Sequence, residues 1–190
     1  MVLLGMHNLA RREQAKQLLA WGAAQVWGLD PLPELEAGER GKPWFPACPQ
    51  YHFNLSHSGM LALCILADRP VGVDIQEIRE TWRPSLVTRT YTPEERAWLA
   101  SRGDQPEDFT QLWALKESGG KQTGYGLPYP PSRQLVPLPP LGEPYNPEKI
   151  YRLGQVQFRV YLGETWRGAV CALDEPPRAI QWVDGLLEKN

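Results

Sequence analysis

The sequence predicts a globular protein of mixed α and β structure. Apolar residues recur at helical spacing in two segments, residues 8–27 and 107–122. Short apolar runs and alternating patterns typical of strands occur at residues 61–67, 71–75 and 156–162. Hydrophobic residues make up 42% of the 190 residues and include eight tryptophans, so a core is available for one compact domain or two small fused halves.

Charge and hydropathy argue against two classes of partner. The formal net charge is −2 and the isoelectric point about 6.0, so the chain lacks the basic excess that binds a nucleic-acid backbone. The amino end has only a short apolar run, and no stretch of about 18 apolar residues follows, so we expect a cytoplasmic protein with no membrane partner. Cys64 and Cys171 lie in apolar runs, and an odd set of three cysteines does not predict a disulfide framework.

The amino-terminal part predicts a helix, a turn-rich loop and three strands. The helix covers residues 8–27, and the loop at 31–50 is rich in proline and glycine. The strands at 51–55, 61–67 and 71–75 are separated by short polar turns. This spacing predicts a meander.

Two helices follow. Thr92 to Glu95 forms a capping-box pattern with proline at the first helical position, which predicts a short helix that carries Trp98 and Leu99 inward. The longer helix at 107–122 is expected to end at Gly124 in a left-handed conformation. Phe109, Leu112, Trp113 and Lys116 recur at the three-to-four spacing of one helix face.

The carboxy-terminal part predicts a long loop and two strands. Residues 128–147 hold too many prolines for a helix or a central strand, so we expect a surface excursion that is either functional or a spacer. Residues 156–162 alternate as in a half-buried strand, and residues 169–173 form another.

Candidate catalytic groups lie on one predicted strand and one predicted helix. Alternation in VGVDIQ sends Asp74 and Gln76 to the same face of the strand. The helix carries Lys116, Glu117 and Lys121, a carboxylate between two cations. Two carboxylates and an amide oxygen are ligands that Mg²⁺ prefers, and Mg²⁺ takes its remaining ligands from water and substrate phosphates. We expect the two lysines to contact those phosphates.

A third motif extends this site. FNLSHSG, residues 53–59, offers hydroxyls, an imidazole and backbone amides in a predicted turn suited to an anion, and Lys42 in GKPW adds a positive charge. Together the motifs predict a site for a polyphosphate compound with magnesium. The alternatives are that Asp74 caps a strand end, that Glu117 and Lys121 form an ordinary surface ion pair, and that His57 is structural.

The glycine pair Gly119-Gly120 interrupts the longer helix. Each glycine costs about 1 kcal/mol relative to alanine in a helix interior. We therefore expect another part of the chain to approach closely there.

The motifs GKPWF, FNLSHSG, VGVDIQ and WALKESGGKQTGYGL, in this order, resemble those of 4′-phosphopantetheinyl transferases of the surfactin-synthetase-activating type. The resemblance implies an α+β fold of two pseudo-symmetric halves, each an antiparallel sheet packed with helices. It places the halves at residues 1–76 and 77–190, with coenzyme A between them and the protein as a monomer. The implied activity moves the 4′-phosphopantetheine arm of coenzyme A to a serine of an acyl or peptidyl carrier protein and releases 3′,5′-ADP.

The resemblance also implies residue roles. The magnesium-binding positions are Asp74, Gln76 and Glu117. The catalytic positions are Glu117, as general base, and Lys121. The coenzyme A contacts are Lys42 and Pro43 beside the adenine nucleotide, Ser56 and His57 at the 3′-phosphate, and Lys116 and Lys121 at the other phosphates.

Two departures from the family pattern affect these expectations. Gln76 stands where many members have an acidic residue, so magnesium would bind more weakly, through the amide oxygen or an extra water. The amino end is short, and the first half lacks a strand unless Met1 to Gly5 supplies one.

Two rival functions differ from transfer. A magnesium-dependent nuclease with an E-x-K pattern would need lysine at position 119, which is Gly119. A degenerate relative would bind coenzyme A or a carrier protein without transfer, and magnesium-dependent turnover would separate it from the enzyme.

Overall fold

The computed structural model describes residues 1–9, 14–183 and 185. Within these residues the chain forms two four-stranded sheets, a two-stranded sheet and four α-helices. The strands are β1 (Val2–Met6), β2 (Glu36–Ala37), β3 (Pro43–Trp44), β4 (His52–Ser58), β5 (Leu61–Ala67), β6 (Val71–Glu77), β7 (Tyr151–Leu153), β8 (Val156–Leu162), β9 (Trp166–Ala172) and β10 (Gln181–Trp182). The helices are α1 (Ala15–Trp27), α2 (Pro84–Thr90), α3 (Pro93–Ser101) and α4 (Pro106–Thr123). In this part of the chain, no helix has the length and apolar composition needed to cross a membrane.

The first sheet has strand order β10-β1-β5-β4 and packs against α1. The buried face of α1 includes Leu18 and Leu19, and Gly28 ends the helix in a left-handed conformation with φ 67°. The predicted start near Asn8 was wrong, since Asn8 has a φ of 59° and α1 begins at Ala15; residues 10–13 of the predicted helix lie outside the described residues. β1 at Val2–Met6 is the strand for which Met1 to Gly5 was the candidate segment.

The second sheet has strand order β6-β9-β8-β7 and packs against α4. Gly72 in β6 allows this close packing, because a Cβ atom there would overlap the backbone of Ser118 and Gln122. The predicted end of α4 is confirmed, with Gly124 at φ 78°. The expected close approach at the glycine pair is also confirmed, since a Cβ atom on Gly120 would lie 2.7 Å from the carbonyl carbon of Gly126.

The capping box of α3 forms as predicted. Thr92 Oγ1 accepts the Glu95 N–H at 3.2 Å, and Glu95 Oε2 accepts the Thr92 N–H at 2.9 Å. Trp98 and Leu99 are buried in the same core cluster as Phe158 and Val160 of β8. The pattern therefore located both the start of the helix and its inward face.

The predicted meander was wrong in its third strand. β4 and β5 form an antiparallel pair, but β6 pairs with β9, with Asp74 opposite Ala169. β10 in turn pairs in parallel with β1 of the first sheet. Strand pairing therefore joins residues on both sides of the predicted domain boundary after residue 76. That boundary remains a prediction.

Side chains join β4 to the edge of β6, although the two strands belong to different sheets. Three alternate side chains of β4 point toward β6 and each accepts a backbone N–H group, as the two-residue period of a strand allows. The acceptors are Asn54 Oδ1, Ser56 Oγ and Ser58 Oγ, and their donors are the N–H groups of Val73, Ile75 and Glu77, at 2.9, 3.3 and 2.9 Å. We call this row of contacts the seam.

A shared core reinforces the seam. One buried cluster combines Leu63 and Ile65 of the first sheet with Val73 and Val170 of the second. Because these apolar side chains leave water together, the two sheets stabilise each other. The sheets and helices agree with the predicted α+β class.

Two segments differ from the sequence-based expectation. Helix α2 was not predicted, since Thr90 is its only buried residue and its apolar pattern is weak. Residues 128–147 contain a short 3₁₀ turn but no longer element, as expected. They are more than a surface excursion, however, because Val136 and Tyr145 are buried in the second core.

Candidate active site

Asp74 is a buried carboxylate at the seam. Its side chain is 1% exposed, while the neighbouring residues Val73 and Ile75 point into the shared core. Asp74 Oδ1 accepts from Lys121 Nζ at 2.6 Å and from Ser56 Oγ at 2.7 Å. Burial of a carboxylate is tolerated when it is paired and hydrogen-bonded, as it is here.

Lys121 reaches Asp74 from the last turn of α4. Its ammonium also donates to Ser56 Oγ at 3.0 Å, so two of its three donors are used and the side chain is 26% exposed. Lys121 forms its ion pair with Asp74 and not with Glu117, so the alternative of a surface ion pair between Glu117 and Lys121 was wrong. Lys121 thus joins α4 to both strands of the seam.

Glu117 lies one turn before Lys121 and is half-buried. Burial raises the pKa of its carboxyl, and the negative charge of Asp74 raises that pKa further, whereas Lys121 opposes the shift. A carboxylate with a raised pKa is a better proton acceptor near neutral pH than an ordinary glutamate.

An open cavity of about 320 Å³ brings these groups together. Its lining includes Ser56, His57, Asp74, Gln76, Glu117 and Lys121. The cavity also contains Arg79 and Trp113, which the sequence analysis did not assign to the site. Trp113, which the spacing placed on one helix face with Phe109, is half-buried and lines the cavity. Arg79 comes three residues after the VGVDIQ motif, and this position was the only indication of its role in the sequence.

Gln76 shares the cavity with Asp74, as alternation predicted. Its side-chain Nε2 donates to Asp74 Oδ2 at 2.9 Å. The amide oxygen of Gln76 is then the atom that remains for a cation or a donor group.

Ser56 and His57 lie in β4 and not in a turn, so the predicted anion-binding turn was wrong. The strand extends to Ser58 and the bend begins at Gly59. Both side chains line the cavity, but the Ser56 hydroxyl contacts Asp74, Lys121 and the Ile75 N–H.

Lys42 and Pro43 border the cleft farther along the seam. Lys42 Nζ donates to the carbonyl oxygens of Val71 at 2.8 Å and Lys121 at 2.7 Å. Burial lowers the pKa of Lys42 to about 8. The ammonium therefore stabilises the carboxy-terminal end of α4, and mainly the stem of Lys42 is left to face a ligand.

Lys116 does not reach the cavity, which corrects its predicted phosphate contact. The side chain is fully buried on the far side of α4, where Nζ donates to Glu95 Oε1 and to the Gln134 carbonyl oxygen, both at 2.7 Å. Adjacent residues of a helix lie about 100° apart, so Lys116 cannot share the direction of Glu117. The buried ion pair of Lys116 with Glu95 therefore has a structural role.

Neighbouring cavities extend the site into a cleft. A cavity of about 240 Å³ shares Leu55 and Lys121 with the first, and another of about 290 Å³ shares Lys42 and Pro43 with the second. The outermost cavity is lined by aromatic side chains, including Trp44. Such a cleft suits an elongated ligand with charged groups at one end and a flat apolar group at the other.

Comparison with known proteins gives a family match. Residues 70–171, more than half of the chain, match the family model ACPS, the 4′-phosphopantetheinyl transferase superfamily. The matched range contains Asp74, Gln76, Arg79, Glu117 and Lys121.

Curated relatives carry the same description. A 4′-phosphopantetheinyl transferase of Bacillus subtilis is 40% identical over 116 residues, 60% of this chain and 51% of the relative. The 4′-phosphopantetheinyl transferase AcpT of Salmonella typhimurium is 37% identical over 126 residues, 61% of this chain and 64% of the relative. The transferase Sfp of Bacillus subtilis strain 168 is 36% identical over 94 residues, 48% and 42% respectively. The matches therefore span about half the length of these relatives.

Proposed function

Since the chain belongs to the 4′-phosphopantetheinyl transferase superfamily, we propose that it transfers 4′-phosphopantetheine from coenzyme A to a serine of an acyl or peptidyl carrier protein. The observation that carries this proposal is the grouping of Asp74, Glu117 and Lys121 in one cavity at the seam. A carboxylate with a raised pKa can act as a base, and a cation beside it can stabilise the charge that develops during phosphoryl-type transfer.

The charges of the cleft support a phosphorylated donor. Lys121 keeps one ammonium donor for a ligand, and Arg79 adds a guanidinium to the same cavity. The cavities beside Lys42 and Pro43 extend the cleft toward Trp44, an aromatic surface for a nucleotide base. Coenzyme A combines a pyrophosphate with an adenine nucleotide and an extended arm.

The reaction makes one bond and breaks one. The carrier serine oxygen forms a bond to the β-phosphorus of coenzyme A, and the bond from that phosphorus to the oxygen of the leaving 3′,5′-ADP breaks. The serine proton passes to the Glu117 carboxylate, directly or through a water molecule. Lys121 and Arg79 stabilise the negative charge that develops on the phosphoryl oxygens.

Magnesium fits the donors in this cavity. Mg²⁺ commonly binds one or two carboxylates together with substrate phosphates and water. The candidate set consists of Asp74 and Glu117 with the Gln76 amide oxygen, which line the same cavity. Among the described residues, no cluster of three or more His, Cys, Asp or Glu side chains that could hold a metal is found. When bound, the ion would neutralise and orient the pyrophosphate.

A degenerate binder is the second candidate. It is favoured by Gln76, which supplies an amide where many family members have a carboxylate and which donates to Asp74. Such a protein would bind coenzyme A or a carrier protein without turnover.

We further propose that the protein is cytoplasmic and that it acts as a monomer, the latter because β4, β6 and α4 of one chain together line the cavity. Light scattering coupled to gel filtration would measure its mass in solution. A stable dimer would contradict the monomer.

Transfer is tested by intact mass spectrometry of apo carrier proteins incubated with the protein, coenzyme A and Mg²⁺. We expect a phosphopantetheinyl mass gain that EDTA abolishes and that Glu117→Gln slows by about 100-fold or more, the usual contribution of a general base. The exposed Glu148→Gln is the matched control. A Glu117→Gln variant as fast as this control would refute the assignment of the base.

A further inference from the structure

Arg40 is an exposed cation at the cleft that the sequence analysis did not assign to the site. It lies in the turn that joins β2 to β3 and lines the cavity of about 240 Å³ together with Asn54 and Lys121. Within the described part of the chain, its guanidinium has no ion-pair partner, and the neighbouring Glu39 does not line this cavity. Its charge is therefore available to an anionic ligand.

An aromatic ring lies beside this guanidinium. The Cζ atom of Arg40 is 5.0 Å from the centroid of the Tyr125 ring, within the range of a cation–π contact. A guanidinium that is attracted to the face of a ring keeps N–H donors at its edge, and two of these donors can bind two oxygens of one phosphate. Tyr125 can therefore hold Arg40 without using up its donors.

Backbone hydrogen bonds hold both members of this pair in place. Two bonds of 2.8 and 2.9 Å close the turn at residues 38–42, which carries Arg40. Another bond of 3.1 Å closes the turn at residues 120–126, which carries Tyr125. Because both turns are already ordered, a ligand that binds Arg40 has less conformational entropy to remove.

The order of the cavities indicates which phosphate of coenzyme A would meet Arg40. The pyrophosphate contains the reacting phosphorus and must lie in the cavity of Glu117, which Arg40 does not line. The base is proposed to lie beside Trp44 in the outermost cavity. The cavity of Arg40 shares lining residues with both of these cavities. In coenzyme A, the ribose with its 3′-phosphate comes between the base and the pyrophosphate.

We infer that Arg40 binds the 3′-phosphate of the coenzyme A donor and that Tyr125 is a positioning residue for its guanidinium. This inference rests on the proposed function, since it concerns the same cleft. It adds one cation to the contacts that the family resemblance implies for Ser56 and His57. The two sets are compatible, because Leu55, which directly precedes Ser56, lines both cavities.

The experiment compares coenzyme A with 3′-dephospho-coenzyme A as donors. We expect Arg40→Met to raise KM for coenzyme A by about 10-fold, as for a lost hydrogen bond to a charged group, with kcat within about twofold. KM for the dephosphorylated donor should stay within about twofold of the wild type. Arg40→Lys should recover only part of the loss, because an ammonium lacks the planar fork.

The exposed Arg133→Met is the matched control, since it removes an arginine that does not line these cavities. It should match the wild type with both donors. The inference would be overturned if Arg40→Met left both KM values unchanged or raised them equally.

Tyr125 is tested by a double-mutant cycle. Tyr125→Leu alone should raise KM for coenzyme A by about 2–5-fold, the usual size of an exposed cation–π contact. If the ring acts through Arg40, the double variant Arg40→Met/Tyr125→Leu should be no worse than Arg40→Met. Independent, additive effects would overturn the positioning role.

Calorimetry in EDTA gives a second readout, which does not depend on turnover. Binding of 3′,5′-ADP and of 5′-AMP is measured for the wild type and Arg40→Met. We expect the wild type to prefer 3′,5′-ADP and the variant to lose about 10-fold of that preference. An unchanged preference would overturn the inference. Absence of transfer by the wild type would instead overturn the proposed function and leave this binding test valid.

Discussion

Replacing Lys116 with methionine is expected to destabilise the fold and to leave donor binding intact. The ammonium of Lys116 is 0% exposed and pairs at 2.7 Å with Glu95, which is 3% exposed. Burial raises the pKa of Glu95 and lowers that of Lys116, so each needs the other to stay charged. Methionine fills a similar volume but leaves the carboxylate buried without its partner.

The expected magnitude follows from this burial. Removing one partner of a buried ion pair costs about 3–5 kcal/mol. For a protein of this size each kcal/mol lowers the Tm by about 2–4 °C, so Lys116→Met should lower it by roughly 6–20 °C. Adding Glu95→Gln removes the unpaired charge and keeps an acceptor for the Thr92 N–H, and should recover on the order of 2 kcal/mol.

The assay combines thermal and urea unfolding with donor kinetics. The exposed Lys149→Met serves as the control. The double variant Lys116→Met/Glu95→Gln should bind coenzyme A with a KM within about twofold of the wild type. The reasoning would be refuted if Lys116→Met were as stable as the control and raised that KM tenfold.

Two further predictions concern the packing of α4 and the titration of Glu117. Gly72→Ala should destabilise the protein by about 1–3 kcal/mol in urea unfolding, because its Cβ atom would overlap the backbone of α4, and an unchanged stability would contradict that packing. Asp74→Asn should lower the pKa of Glu117 in metal-free protein, because a negative charge that disfavours the ionised carboxylate is removed. Carbon-13 NMR titration measures this pKa. The acid limb of the pH profile of residual activity should also move to lower pH, since Glu117 must be deprotonated to act as the base. A rise in the pKa of Glu117 would contradict its assigned contact with Asp74.

Local patterns predicted those parts of the site that depend on neighbouring residues. Alternation in β6 correctly placed Asp74 and Gln76 on one side, because the two-residue period of a strand is fixed by its backbone. The positions of Glu117 and Lys121 one turn apart on α4 followed in the same way from helix geometry.

Contacts between distant segments could not be predicted. Lys116 and Glu117 are adjacent, and which of them is buried depends on Glu95 and Gln134, which are 21 and 18 residues from Lys116. The motif that contains Ser56 has the composition of a turn, but pairing with β5 makes it a strand. The edge of β6 then supplies backbone N–H groups to its side chains. Hydrophobic periodicity indicates the type of each element but not which polar side chains of distant segments will meet.

Transfer at the cleft is tested most directly by measuring both products of the wild-type reaction with Mg²⁺. Intact mass spectrometry reports the modified carrier protein, and liquid chromatography reports 3′,5′-ADP. The expected result is equal molar formation of the two products, abolished by EDTA. Coenzyme A binding without either product, across several apo carrier proteins, would contradict transfer and favour the degenerate binder.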